Sequence, residues 1–125
     1  MKFREHLTRN NTLLLAGRNA ENNEELIKQV NSKDFVLHTA LPGSPFVWIK
    51  GKNKFGDKKE AAIFCAVHSQ AWRNKKSDVI VHIFRGGDIY KEKRMKKGTF
   101  GIKKFKKIKV NKGEIEKWNQ YHKSN

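Results

Sequence analysis

Apolar residues in this chain fall into short runs, and the runs predict strands more often than helices. Thr12-Leu13-Leu14-Leu15-Ala16 reads as a buried strand closed by Gly17. A weaker strand, Phe3 to Thr8, reaches it through Arg9-Asn10-Asn11, where asparagine tolerates left-handed backbone angles, so a hairpin is predicted. Phe35-Val36-Leu37-His38-Thr39 and Phe46-Val47-Trp48-Ile49-Lys50 are the strongest strand candidates, being β-branched and aromatic. Pro42-Gly43 between them favours a type II turn, and the link is too short for a crossover. These two strands should be antiparallel neighbours. Val79 to Phe84 predicts a further strand, followed by Arg85-Gly86-Gly87-Asp88.

Helical spacing appears in three places. Asn19 can cap a helix whose first turns carry Glu21, Glu24 and Glu25, and whose narrow apolar stripe is Leu26, Ile27 and Val30. After the basic loop from Gly51 to Gly56, the longest helix is predicted from Asp57 or Lys58 to about Arg73. Ala62, Cys65, Ala66, Ser69 and Trp72 form its small-residue stripe. Gly98 to Ile102 and Phe105 to Val110 read as two short strands around a Lys103-Lys104 turn. In the second, Lys107 and Lys109 share a face with Phe105, while Ile108 and Val110 share the other with Lys106. Gly113 to Tyr121 predicts a short helix with Ile115 and Trp118 on one side. The expected class is α+β: a mainly antiparallel mixed sheet, two principal helices packed on it, chiefly on one face, and a short C-terminal helix. One domain over residues 3–110 and a helical tail over 111–125 are expected, with no internal repeat.

Charge changes the picture. The chain holds 28 Lys and Arg against 12 Asp and Glu, a net charge of +16. Residues 1–84 carry 14 basic and 8 acidic side chains, whereas residues 85–125 carry 14 and 4. Between Lys91 and Lys109 stand ten bases and one acid, Glu92, interleaved with Phe100, Ile102, Phe105 and Ile108. A solvated tail has no use for those apolar residues. The mixture predicts a strand pair with one face in the core and a single outward wall of lysines toward a polyanion, nucleic acid before other partners. The lone cysteine, Cys65, rules out an internal disulfide and fits a reducing compartment. No apolar run approaches a membrane span, and the N-terminus lacks the apolar segment of a signal peptide. A cytoplasmic protein without membrane insertion is expected.

Several segments in register resemble a known family. They are Leu15-Ala16-Gly17-Arg18-Asn19, Asp34-Phe35-Val36-Leu37-His38-Thr39 running into Pro42-Gly43-Ser44-Pro45-Phe46, Ser69-Gln70-Ala71-Trp72-Arg73, and Lys97-Gly98-Thr99-Phe100-Gly101-Ile102. Together they resemble the NFACT-R domain, the RNA-binding module of the NFACT proteins, from about residue 3 to residue 110. The resemblance implies a module acting beside the large ribosomal subunit and tRNA in ribosome-associated quality control. It implies RNA as partner, tRNA or ribosomal RNA or both, and a separate protein supplying the other NFACT domains. The form expected here is the stand-alone module, to which untemplated peptide elongation by the whole factor does not transfer. Many bacterial members resemble Pro-Gly-Ser-His in the central turn; Pro45 occupies the His position, as in the archaeal variant.

The candidate contacts follow. Lys96, Lys97, Lys103, Lys104, Lys106, Lys107 and Lys109 make the strongest electrostatic group, a phosphate-tracking surface that sets affinity and orientation. Arg18 and Asn19, at a strand-to-helix junction, can hold a phosphate, or Asn19 can serve as a plain cap. Ser44 can bond a phosphate or stabilise its own turn, and His38 is an RNA contact or a structural strand histidine. Lys50 and Arg73 complete the set. Phe105 either stacks on a base or packs under Trp118, while Trp48 and Trp72 read as core. Cys65 and His68 lie one helical turn apart, but a cysteine on a packing stripe is usually inert. The five histidines lack metal spacing, and neither catalytic residue nor cofactor is expected. The reading is a non-enzymatic RNA-binding module. Its rivals are an RNA-modifying enzyme or subunit, favoured if one pocket holds His38 with Arg18 or Arg73, and a binder of DNA or anionic surfaces.

Overall fold

A computed structural model describes residues 2–122. Six strands form one sheet in the order β1 (Arg4–Leu7), β2 (Leu13–Ala16), β4 (Val47–Lys50), β3 (Phe35–Thr39), β5 (Val79–Arg85) and β8 (Lys106–Val110), every neighbouring pair antiparallel. A separate two-stranded ribbon pairs β6 (Ile89–Tyr90) with β7 (Gly101–Ile102). The helices are α1 (Ala20–Gln29), α2 (Asp57–Val67), α3 (Gln70–Lys75) and α4 (Lys112–His122). The α+β class stands.

Strand alternation divides the apolar residues between two cores. Leu14, Leu37, Val47, Ile49, Val81, Ile83 and Val110 point to the side of α2, where Phe64, Cys65, Trp72 and Ile115 meet them. Leu15, Val36, Trp48 and Phe84 point the other way, toward Leu26 of α1 and the ring of Phe100. The sheet is thus covered on both sides, more by α2, α3 and α4 and less by α1. Burying a side chain such as Leu14 or Leu37, both fully enclosed, contributes about 1.5–3 kcal/mol each.

Three sequence expectations need correction. The strands Gly98–Ile102 and Phe105–Val110 do not pair. Gly101-Ile102 joins Ile89-Tyr90, with Ile102 sealing the α1 side, while Lys106–Val110 extends the main sheet beside β5. The long helix is also two helices, because Ser69 breaks it. The Ser69 backbone is extended and its buried hydroxyl accepts from Trp72 N–H at 3.1 Å, capping α3. Finally, Phe105 does not lie under Trp118. It stacks on His82 with ring centres 3.9 Å apart, and Trp118 packs against His6 and Phe64 instead.

The central turn is built as its sequence requires. Gly43 takes φ 90°, open to glycine, and its carbonyl accepts Gln70 N–H at 2.7 Å. The turn is thereby tied to the first residue of α3.

Candidate nucleic-acid interface

Antiparallel register brings the start of β1, the end of β2, the end of β3 and the start of β4 to one end of the sheet. The junction between β2 and α1 is packed tightly there. A Cβ on Gly17 would fall 1.9 Å from Asn23 Oδ1, the atom that accepts Phe46 N–H at 3.2 Å. Asn22 Oδ1 accepts Arg18 N–H at 2.9 Å, and Asn19 Oδ1 accepts Asn22 N–H at 2.8 Å. Gly-Arg-Asn is therefore a fixed corner that leaves the Arg18 side chain exposed.

Around this corner opens a cleft of about 600 Å³. Its cationic side chains are Arg4, Arg18, Arg73 and Lys97, its imidazoles His38, His68 and His82, and among the described residues no carboxylate lines it. Arg4 is held below the ordinary arginine pKa by burial and by the charges of Arg18 and Arg73. His68 is lowered to about 4 by burial and by Arg4 and Arg73. Cations crowded without a counter-ion are costly to the free protein and favourable to an anion that enters.

His38 donates from Nδ1 to the Thr39 carbonyl at 2.8 Å, because a carbonyl can only accept. That leaves Nε2 as an acceptor. Burial, opposed by this bond but aided by His82, lowers the His38 pKa, and burial followed by Lys107 does the same at His82. At neutral pH both rings are uncharged faces with polar edges.

A clamp sets the position of Lys97. Glu24 on α1 accepts Lys91 Nζ at 2.8 Å and Gly98 N–H at 2.7 Å, while Lys91 also donates to the carbonyls of Lys96 and Thr99. One acid–base pair thus folds the Lys96–Thr99 loop against the first turns of α1, beside Arg18.

The other expected residues spread around this centre. Lys103 and Lys104 lie exposed in the loop before β8. On β8, Lys107 and Lys109 face the His82 side with Phe105, as alternation predicts, and Lys106 shares the α2 side with Ile108. The single outward wall is therefore corrected: an edge strand alternates, so its lysines flank the sheet on both sides. Among the described residues, Lys109 is the one of the seven expected lysines within 4.0 Å of a carboxylate, Asp78 at 3.5 Å. Lys50 stands at the opposite end of β4, paired with Leu13 and set over the Trp48 ring, away from the cleft. The Ser44 hydroxyl accepts Thr39 N–H at 3.0 Å and so serves its own turn, as the Asn19 side chain serves its helix. Trp48 and Trp72 are buried. Cys65 is fully buried with its thiol pushed up to about 12, which leaves no nucleophile–base pair with His68.

Sequence reasoning missed Arg4 and took His68 only as a helical neighbour of Cys65. Arg4 sits in a weak strand and His68 at the unforeseen helix break, and only the fold brings them together.

The NFACT protein RNA binding domain model matches residues 2–104. This chain belongs to that family. The archaeal Rqc2 homolog aRqcH of Methanocaldococcus jannaschii is 40% identical over 68 residues, 51% of this chain and 10% of that protein. The chain thus spans about a tenth of this relative's length. Among solved structures, the C-terminal part of the fibronectin/fibrinogen-binding protein from Streptococcus suis superposes with a TM-score of 0.78 at 24% identity. The match covers 94% of this chain and 49% of that one, and it shows a shared fold. The NFACT match takes in the whole cleft and ends at Lys104, just before β8 and α4.

Proposed function

We propose that this NFACT RNA-binding domain is a non-enzymatic module that grips RNA by its phosphates, with the end-of-sheet cleft as its centre and the β8 lysines as its flank. The observation that carries the reading is the convergence of Arg4, Arg18, Arg73 and Lys97 in a concavity lined by no carboxylate among the described residues. Phosphates there would gain Coulomb attraction and release counter-ions. Lys103, Lys104, Lys106 and Lys107, unpaired with acids among the described residues, would hold flanking phosphates. Arg18 and His38 are the direct contacts, while Asn19 and Ser44 act by shaping the backbone. Family membership and the likeness to the archaeal Rqc2 homolog support a place in ribosome-associated quality control. The RNA would be tRNA or large-subunit ribosomal RNA.

Replacing Lys103, Lys104, Lys106 and Lys107 together by Glu should abolish RNA binding at moderate salt while the circular dichroism spectrum is retained. Competition of tRNA against duplex DNA and acidic vesicles at one salt concentration identifies the preferred polyanion. Unchanged RNA affinity in the fourfold variant, or preference for vesicles, would sink the proposal.

A second reading has one specific observation in its favour. His38 shares its cleft with both Arg18 and Arg73, the arrangement expected of an RNA-modifying site. Its Nε2 is a free acceptor, suited to taking a proton. The described residues give the cleft no activated nucleophile, since Cys65 is buried behind the turn with a raised pKa. Binding accounts for more of the cleft than chemistry does.

A further inference from the structure

The cleft does not stay on one side of the sheet. Arg4 is paired with Ala16, whose side chain faces α2, and His68 and Arg73 belong to the α2–α3 side. His38 and His82 alternate with Leu37, Val81 and Ile83 of that core, so they face the opposite way, toward Phe100 and α1. All of these line one concavity, which must therefore pass over the end of the sheet. Packed layers lie about 10 Å apart, so a phosphate chain following this path turns sharply within that order of distance. A duplex resists such a bend, with a persistence length of about 50 nm for DNA. A single strand does not.

The two sides also differ in chemistry. On the α2 side are the guanidinium groups of Arg4 and Arg73 beside His68. On the other, rings predominate. His38 lies on Phe46 with centres 4.4 Å apart, and His82 lies under Phe105 at 3.9 Å and 19°, with Phe105 still 45% exposed. A flat exposed ring next to Lys107 is a surface on which an unstacked base can rest.

Resting on the RNA reading above, we infer that the cleft takes an unpaired stretch of RNA, with phosphates on the guanidinium side and a base laid on the Phe105–His82 pair. The free Nε2 of His38 accepts a hydrogen bond from a base N–H or a 2′-hydroxyl at the crossing point. Duplex RNA would meet only the outer lysines.

Fluorescence anisotropy with three labelled RNAs of equal phosphate number tests this: an unstructured single strand, a blunt duplex, and a hairpin with a wide loop. The single strand and the hairpin should bind roughly tenfold or more tighter than the duplex at the same salt. Phe105→Ala should weaken the single strand about tenfold and leave the duplex unchanged, and Phe105→Tyr, which keeps the ring, should restore the lost affinity. Equal affinity for duplex and single strand overturns the unpaired-segment assignment but leaves RNA binding in place. So does a Phe105→Ala effect that is absent, or the same on both. Wild-type protein that binds none of the three RNAs overturns the proposed function itself.

Discussion

The two ends of the six-stranded sheet handle charge in opposite ways. At the end away from the cleft, Asp57 is fully buried and accepts from Thr12 Oγ1 at 2.6 Å, Lys54 N–H at 2.7 Å and Asn10 Nδ2 at 3.3 Å. Burial alone would raise its carboxyl pKa, but these hydrogen bonds hold it below the ordinary value. Nearby, Glu60 meets His6 at 2.6 Å and Glu114 meets Lys59 at 3.1 Å. At the cleft end, Arg4, Arg18, Arg73 and Lys97 gather with no acid among the described lining residues. Charge that is balanced within the chain holds loops together. Charge that is left unbalanced awaits a partner.

Breaking the balanced end should have the largest effect, and on stability alone. Asp57→Ala strands the buried Thr12 hydroxyl and takes the partner from the part-buried Lys54 N–H, and should lower the free energy of unfolding by about 3 kcal/mol. Urea titration measures it, and RNA affinity of the folded fraction should not change. A variant with altered RNA affinity but intact stability would collapse the distinction between the two ends.

The unbalanced end should respond in the reverse sense. Arg18→Ala with Arg73→Ala should weaken RNA binding roughly tenfold to a hundredfold near physiological salt, and reduce the slope of log K against log salt by about 1.4–1.8. Thermal stability should hold or rise, since two cations that repel Arg4 are gone. A slope equal to wild type would show that neither guanidinium contacts phosphate.

The smallest effect concerns pH. His68 has a native pKa of about 4, below the ordinary imidazole value of 6.5. Between those values the unfolded chain binds a proton that the native protein refuses, so stability falls as pH drops through this window and levels off below it. Partial exposure and salt screening reduce the contribution of His68 to about 1 kcal/mol. His38 and His82 are shifted in the same direction, so the measurement is a difference. His68→Gln should flatten the wild-type decline between pH 6.5 and 4 by that amount, and identical pH profiles would remove His68 from the cluster.

Much of this was legible in the sequence because it is local. The alternation in Phe35–Thr39, the Pro42-Gly43 turn and the Asn19 cap each rest on neighbouring residues, and each appears in the fold. What escaped is nonlocal. Gly101-Ile102 is too short to state its own register, so nothing in it marks Ile89-Tyr90 as its partner. Ser69 fits a helical stripe as well as it fits a cap, and only its buried hydroxyl decides. The site divides the same way. The late lysines announce themselves by density and Arg18 and Arg73 stand among the expected contacts, whereas their meeting with Arg4 follows only from the strand order that places β1 near the break between α2 and α3.

The bond from Gln70 N–H to the Gly43 carbonyl carries a consequence of its own. A helix of six residues has little internal rigidity, so the heading of Arg73 is inherited from the loop on which its first turn leans. Lengthening that loop by one residue would re-aim the guanidinium without altering a single ionisable group. Ligand preference in this fold can therefore be tuned by backbone length at a site that carries no charge.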